Sequence, residues 1–108
     1  MITFAEFKKA DIRIGTILSA EKVPEADRLI KLMVNLGEES PRQILSGIAE
    51  HYPDPSVLVG KQVPVLANLP TRTIRGLESQ GMVLYAVGEG FLTTVEPERE
   101  VPRGTPVQ

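Results

Sequence analysis

Between Arg28 and Leu36 the sequence alternates without a break. Ile30, Leu32, Val34 and Leu36 fall on one face, and Leu29, Lys31, Met33 and Asn35 on the other. A period of two marks an extended strand with one buried face. Gly37 to Pro41 then reads as a hairpin turn and Arg42 to Ser46 as the return strand. The rest of the chain follows the same pattern. Asp11 to Ser19, Lys61 to Ala67, Met82 to Ala86 and Phe91 to Val95 are further short apolar or alternating runs. Nine prolines and nine glycines in 108 residues divide them with frequent turns.

The irregularities are as informative as the pattern. Ile12 and Ile14 alternate with Asp11 and Arg13, Gly15 interrupts, and Ile17 resumes out of phase, which predicts a bulge or sharp bend. Glu21 to Asp27, with Pro24, is a polar turn. Pro64 inside its run predicts an edge strand or a bulge. Thr3-Phe4-Ala5-Glu6 has the form of a capping box, so a short helix starts at Thr3, with Phe4 and Phe7 on the face that tacks it to the core. Gly47 to Gly60 is irregular, with one helical turn expected over Ser56 to Val59. The end of the chain, with Pro97, Pro102 and Pro106, is an extended tail. Five or six short strands with one or two helical pieces make an all-β domain spanning residues 1–108. A small closed or nearly closed barrel is the natural way to hide so many strand edges. The five-stranded version is the OB-fold, which commonly binds oligonucleotides on one face. A small sandwich is the structural alternative.

Composition narrows the function. There is no cysteine and only one histidine, His51, so neither a disulfide frame nor a Cys- or His-built metal site is expected, and no cofactor is implied. No apolar run reaches the length of a membrane span, and Glu6, Lys8, Lys9 and Asp11 interrupt any signal-peptide pattern, so the expected compartment is the cytoplasm. A catalytic triad would have to use His51, which lies in an irregular stretch beside Tyr52 and Pro53. Glu38 and Glu39 sit in a turn, and Gly76 and Gly81 are not followed by the Gly-Lys-Ser/Thr of a phosphate loop. The chain reads as a binding module and not an enzyme. Its net charge of −2 argues only mildly against a polyanionic partner. Residues 89–108 hold four of the 14 acids and two of the 12 bases, which leaves ten of each in residues 1–88, where they are free to segregate onto separate faces.

The stretch from Asn68 to Met82 is the candidate site. Pro70, Gly76 and Gly81 mark it as a loop, and it is longer than a plain connection between strands requires. Arg72 and Arg75 supply cationic forks; Asn68, Ser79 and Gln80 supply neutral donors and acceptors; Ile74, Leu77 and Met82 can pin it to a core. The bland alternative is a long solvated loop with incidental charges. Arg28, Lys31, Arg42, Arg72 and Arg75 can neutralise phosphates; with Arg28 and Lys31 on the second strand and Arg42 across the hairpin, these three charges are expected to converge. Ser46 joins Asn68, Ser79 and Gln80 as a hydrogen-bonding group, and Met82 and Met33 offer soft apolar contact. The aromatics are too sparse for a base-stacking platform, which points to recognition of shape and backbone.

Four segments together resemble one family: Asp11-Ile12-Arg13-Ile14-Gly15-Thr16-Ile17, Pro24-Glu25-Ala26-Asp27-Arg28-Leu29, Gln43-Ile44-Leu45-Ser46-Gly47-Ile48-Ala49, and Asn68-Leu69 through Glu78-Ser79-Gln80-Gly81-Met82. They are similar to the tRNA-binding domain at the C-terminus of many methionyl-tRNA synthetases, which also occurs as a free-standing small protein and in synthetase-associated cytokine precursors. The resemblance covers residues 4 to 106. It implies an OB barrel, tRNA as partner, and action alone or beside a synthetase; Met1 and the absence of a catalytic domain point to the free-standing form, with an isolated C-terminal domain or a separate synthetase subunit as the alternatives. It also implies tRNA contact at Ser79 and Met82, while Glu78 would repel phosphate and is expected to organise the loop. Phe91, Leu92, Val95, Val101 and Val107 are too many apolar side chains for a disordered end, so the C-terminal segment, about residues 87–108, is expected to build a homodimer interface, as free-standing relatives pair two barrels; the competing view is that the tail only closes its own barrel. A secretion-chaperone family shares the fold but usually lacks the Glu-Ser-Gln-Gly-Met sequence, so the tRNA-binding branch is favoured. A peptide-binding chaperone or a synthetase dimerisation domain are the alternatives.

Overall fold

A computed structural model describes all 108 residues. The alternation on the second strand becomes the centre of the core. On β2 (Ile30–Asn35) Ile30, Leu32 and Val34 are fully buried, with Leu36 just beyond. β1 (Ile12–Lys22), β3 (Arg42–Ser46), β4 (Gln62–Leu66) and the short β7 (Met82–Val83) join β2 in one antiparallel sheet of order β3-β2-β1-β4-β7. Ile17, Ile44, Ile48, Leu58, Val63, Val65 and Val83 close the interior around it. Each such side chain contributes about 1.5–3 kcal/mol on leaving water. The outer strands are then drawn together. Gln80 N–H donates to the carbonyl of Gln43 at 2.8 Å, and the Gln80 side-chain oxygen accepts from Gln43 N–H at 3.2 Å. The sheet is thereby a nearly closed five-stranded all-β barrel, as the strand count implied.

β1 is long because it serves two neighbours. Residues 12–16 pair with β4 and residues 16–22 with β2, Thr16 being matched on both sides. Gly15 lies at this handover, and a Cβ there would come within 2.6 Å of Val34 and 2.8 Å of Leu36. Its glycine answers a close approach, while the bulge itself falls between Ile17 and Ser19, leaving Leu18 exposed. Pro64 is central in β4, not at an edge. It faces Ile14, whose N–H and C=O point the other way, to Thr105 and from Gly104, so the β1–β4 ladder loses no bond to the missing N–H.

Other expectations need adjustment. The capping box at Thr3 is formed on both sides and starts α1 (Phe4–Phe7), but no residue of that helix is buried, so Phe4 and Phe7 do not anchor it in the core. The helical turn is a 3₁₀ turn over Pro55–Leu58, one residue earlier than expected. The stretch after Asn68 is not a bare loop. It folds back on itself as the hairpin β5 (Arg72–Ile74) and β6 (Leu77–Ser79). The run from Met82 to Ala86 divides into β7 and β8 (Tyr85–Gly88), and β8 makes a second hairpin with β9 (Phe91–Thr94).

The tail runs beside the first half of β1, in the place β2 leaves vacant. Gly104 N–H donates to Ile14 C=O at 2.7 Å, Ile14 N–H to Thr105 C=O at 2.8 Å, and Val107 N–H to Ile12 C=O at 2.8 Å. Gln62 clamps Val101 through both its N–H and C=O. The backbone of residues 101–107 is therefore occupied with its own barrel, and the apolar surface left outside is mainly that of the β8–β9 region, Val87, Phe91 and Val95, with Val107 exposed at the end of the tail.

Candidate functional site

The β5–β6 hairpin is an arm laid along the open edge of β3, bonded to the backbone of Gln43 and Leu45. This is why Ile44, Leu45 and Ser46 are buried in succession on a strand that would otherwise alternate. The two strands meet at Ile74↔Leu77, leaving Arg75-Gly76 as a two-residue turn with φ of 52° and 79°. Positive φ at both positions is the type I′ geometry that matches strand twist, and it favours Asn-Gly. Arg75 adopts the left-handed region without glycine's freedom, at a cost of roughly 1–2 kcal/mol.

The foot of the arm is held by polar contacts. Arg42 Nε and Nη2 donate to the two carboxylate oxygens of Glu38, each at 2.8 Å, and Nη1 donates to the carbonyl of Ala67 at 2.6 Å and, more weakly, to that of Gln80 at 3.4 Å. Arg13 pairs with Asp11 at 2.6 Å and approaches Glu38 at 3.6 Å. The Arg42 hydrogen bonds hold the Glu38 carboxyl below its ordinary range, and Arg13 does the same for Asp11. Asn68 accepts from Asp11 N–H at 3.0 Å and donates to Lys9 C=O at 2.6 Å. Ser79, 5% exposed, accepts from Leu45 N–H at 3.0 Å. Gln43 Nε2 donates to Glu78 C=O at 2.9 Å.

These bonds sort the residues named from sequence. Arg42, Asn68, Ser79 and Gln80 have their side chains engaged in holding the arm to the barrel. Arg72, Arg75 and Met82 are exposed. Arg72 and Met82 border a groove of about 290 Å³ between the arm and the barrel wall, with Ser46 also lining it. Arg75 shares a smaller hollow of about 240 Å³ with Arg28, Glu25 and Asp27. Arg28 is not on β2 but in the turn before it. The pairings Ile30↔Ser46 and Val34↔Arg42 put Arg28 and Arg42 at opposite ends of the hairpin, so the expected convergence of those two does not occur. Lys31, on β2, lies 4.0 Å from Glu21, and Arg28 3.9 Å from Glu50, both on the surface and weakly bound.

Gln43, Glu38, Arg13 and Tyr85 also shape the site, although none is a candidate from sequence. Gln43 and Arg13 lie within segments that carried the family resemblance, and Glu38 stands four residues before its partner Arg42, so a local signal existed for these; Tyr85 acts on Ser46, remote in sequence. The Tyr85 hydroxyl lies 3.0 Å from Ser46 Oγ, and burial pushes the phenol up to about 12 despite that bond.

With this geometry the chain can be set beside known proteins. The family model described as "Putative tRNA binding domain" matches residues 12–106. The methionine–tRNA ligase of Flavobacterium johnsoniae is 50% identical over 108 residues, 99% of this chain and 15% of that protein. That of Enterococcus faecalis is 45% identical over 104 residues, and that of Archaeoglobus fulgidus 50% over 106, each across 16% of the larger protein. The chain thus spans about a sixth of the length of these curated relatives. Among solved structures, a MetRS related protein from Pyrococcus horikoshii superposes with a TM-score of 0.91 at 35% identity, covering 100% of this chain and 98% of that one. The chaperone CsaA of Bacillus anthracis superposes at 0.88 and 32% identity, covering 100% and 99%. A match over almost the whole barrel, arm included, places the chain in the tRNA-binding domain family.

Proposed function

We propose that this chain binds folded tRNA, reading shape and backbone through the face that carries the arm, and that it does so without catalysis. The observation that carries this reading is the pair of exposed arginines on the arm, Arg72 and Arg75, neither with an acidic side chain in salt-bridge range, above a barrel whose other polar groups keep the arm in place. Unpaired guanidinium groups are free to take phosphate oxygens bidentately. Arg28, beside Arg75, extends the cationic line, and Lys31 lies on the neighbouring strand. In this reading Arg42, Asn68, Ser79 and Gln80 act chiefly by positioning, Arg28, Lys31, Arg72, Arg75 and Met82 reach the RNA, and Ser46 lines the groove between arm and barrel.

One such face is short for an object the size of tRNA. Pairing two copies through Val87, Phe91 and Val95 would double it, and a C₂ arrangement places the same patch on both subunits. The module, residues 1–108, acts in the cytoplasm, alone or with a methionyl-tRNA synthetase. No helix is long and apolar enough to cross a membrane.

A second reading, binding of unfolded peptide, is favoured by the likeness to the chaperone and by the apolar part of the groove wall. Gel shifts with folded tRNA, duplex DNA and an unfolded peptide separate the two. Retardation with tRNA alone is the expected result; binding of peptide without tRNA overturns the first reading in favour of the second.

A further inference from the structure

The groove beneath the arm holds a hydrogen-bond donor that the protein does not use. Tyr85 Oη and Ser46 Oγ make one hydrogen bond to each other. Two hydroxyls carry two hydrogens, and one bond uses one of them. Whichever way the pair is oriented, the second hydrogen has no acceptor in the protein, and both residues line the groove. Burial keeps the phenol protonated far above neutrality, so this donor persists at physiological pH.

The groove around it is small and partly apolar. Leu69, Pro70, Ile74 and Met82 make apolar walls, and Arg72 stands among the residues that border it. Its volume of about 290 Å³ is at the low end for a ligand pocket. An aliphatic peptide side chain would satisfy the walls and leave the hydroxyl unanswered. An unstacked nucleobase satisfies all three features: its faces suit apolar walls, its edge carries carbonyl or ring-nitrogen acceptors, and its phosphate or π-face suits a guanidinium.

We propose that the groove receives one unpaired nucleobase of the bound RNA, with the Ser46–Tyr85 pair donating to its edge and Arg72 holding it at the rim. This rests on the tRNA reading above and deepens it: the barrel would recognise one extruded base in addition to the shape of the backbone.

An abasic scan tests it. Folded tRNA transcripts, each with one unpaired nucleotide replaced by an abasic site, are titrated against the wild-type protein, the Ser46→Ala/Tyr85→Phe double variant and Met82→Trp. Removing both hydroxyls together preserves shape and leaves no orphaned partner, and Met82→Trp fills the groove from an exposed position, so a folding failure in one leaves the other. The expected result is that one or two abasic positions weaken wild-type binding about tenfold, and that this loss disappears in the variants. If every abasic transcript binds the wild type as the parent does, the base pocket is overturned while tRNA binding stands. The same follows if the abasic loss persists undiminished in both variants. If the parent transcript itself does not bind, the tRNA reading falls, and the pocket with it.

Discussion

At the foot of the arm, Arg42 grips a carboxylate with two hydrogen bonds and reaches the carbonyls of Ala67 and Gln80; on the arm itself, Arg72 and Arg75 have no acidic side chain within 4.0 Å. The same side chain therefore does two kinds of work in one small region. An arginine with a full set of internal partners has little left to offer a ligand, and its loss is felt in the fold. An arginine with none contributes little to the fold and has its donors free. The turn geometry adds to the contrast. Arg75 occupies a left-handed position that asparagine or glycine would fill with less strain. The foot of the arm is arranged for stability and its tip is not.

The strongest way to break this comparison is at the foot. Arg42→Ala removes two charge-assisted bonds to Glu38 and the link to Ala67, and is expected to destabilise the protein by about 2–3 kcal/mol. Urea unfolding should show a lower midpoint at an unchanged slope. Arg72→Ala, by contrast, should stay within about 0.5 kcal/mol of wild type, as a surface change away from structural contacts. Equal losses in the two would erase the distinction.

Ser79 sharpens it for a neutral group. Ser79→Ala leaves the N–H of Leu45 without its acceptor in a buried setting, an expected loss of about 1–2 kcal/mol by the same unfolding measurement. A loss of tRNA affinity without any loss of stability would return Ser79 to direct contact, as the family resemblance implied.

The last change acts on stability with the opposite sign. Arg75→Asn suits the type I′ turn better and should gain about 1 kcal/mol while weakening tRNA binding. Thermal melting and filter binding on one preparation read both quantities. A variant that melts lower shows that the Arg75 backbone is not strained.

The core was legible because it repeats: Ile30, Leu32, Val34 and Leu36 form one face by strict alternation, and all four are buried. Gly15 was legible only as a break. That it answers the close approach of Val34 and Leu36 depends on neighbours remote in sequence, and so does the displacement of the bulge to Leu18. The arm was read as a loop because strands of three residues are too short to display a period, and because its turn uses Arg-Gly where the recognisable signature is Asn-Gly. The polar residues of the site stood out by type, since arginines and amides in a long connection invite attention. Their division of labour did not stand out. Whether Arg42 faces solvent or Ala67 is decided by how the barrel closes, and nothing beside it in the chain records that.

The most direct test of the central claim is the salt dependence of tRNA binding. Filter-binding titrations across a salt series should give a log–log slope of roughly −2 to −5 for the wild type, corresponding to about three to five neutralised phosphates. In the Arg72→Ala/Arg75→Ala variant, two phosphate contacts are removed and the slope should become shallower by about 1.5–2. A double variant that melts normally and keeps both the wild-type affinity and the wild-type slope would contradict the assignment of the arm as the RNA-binding element.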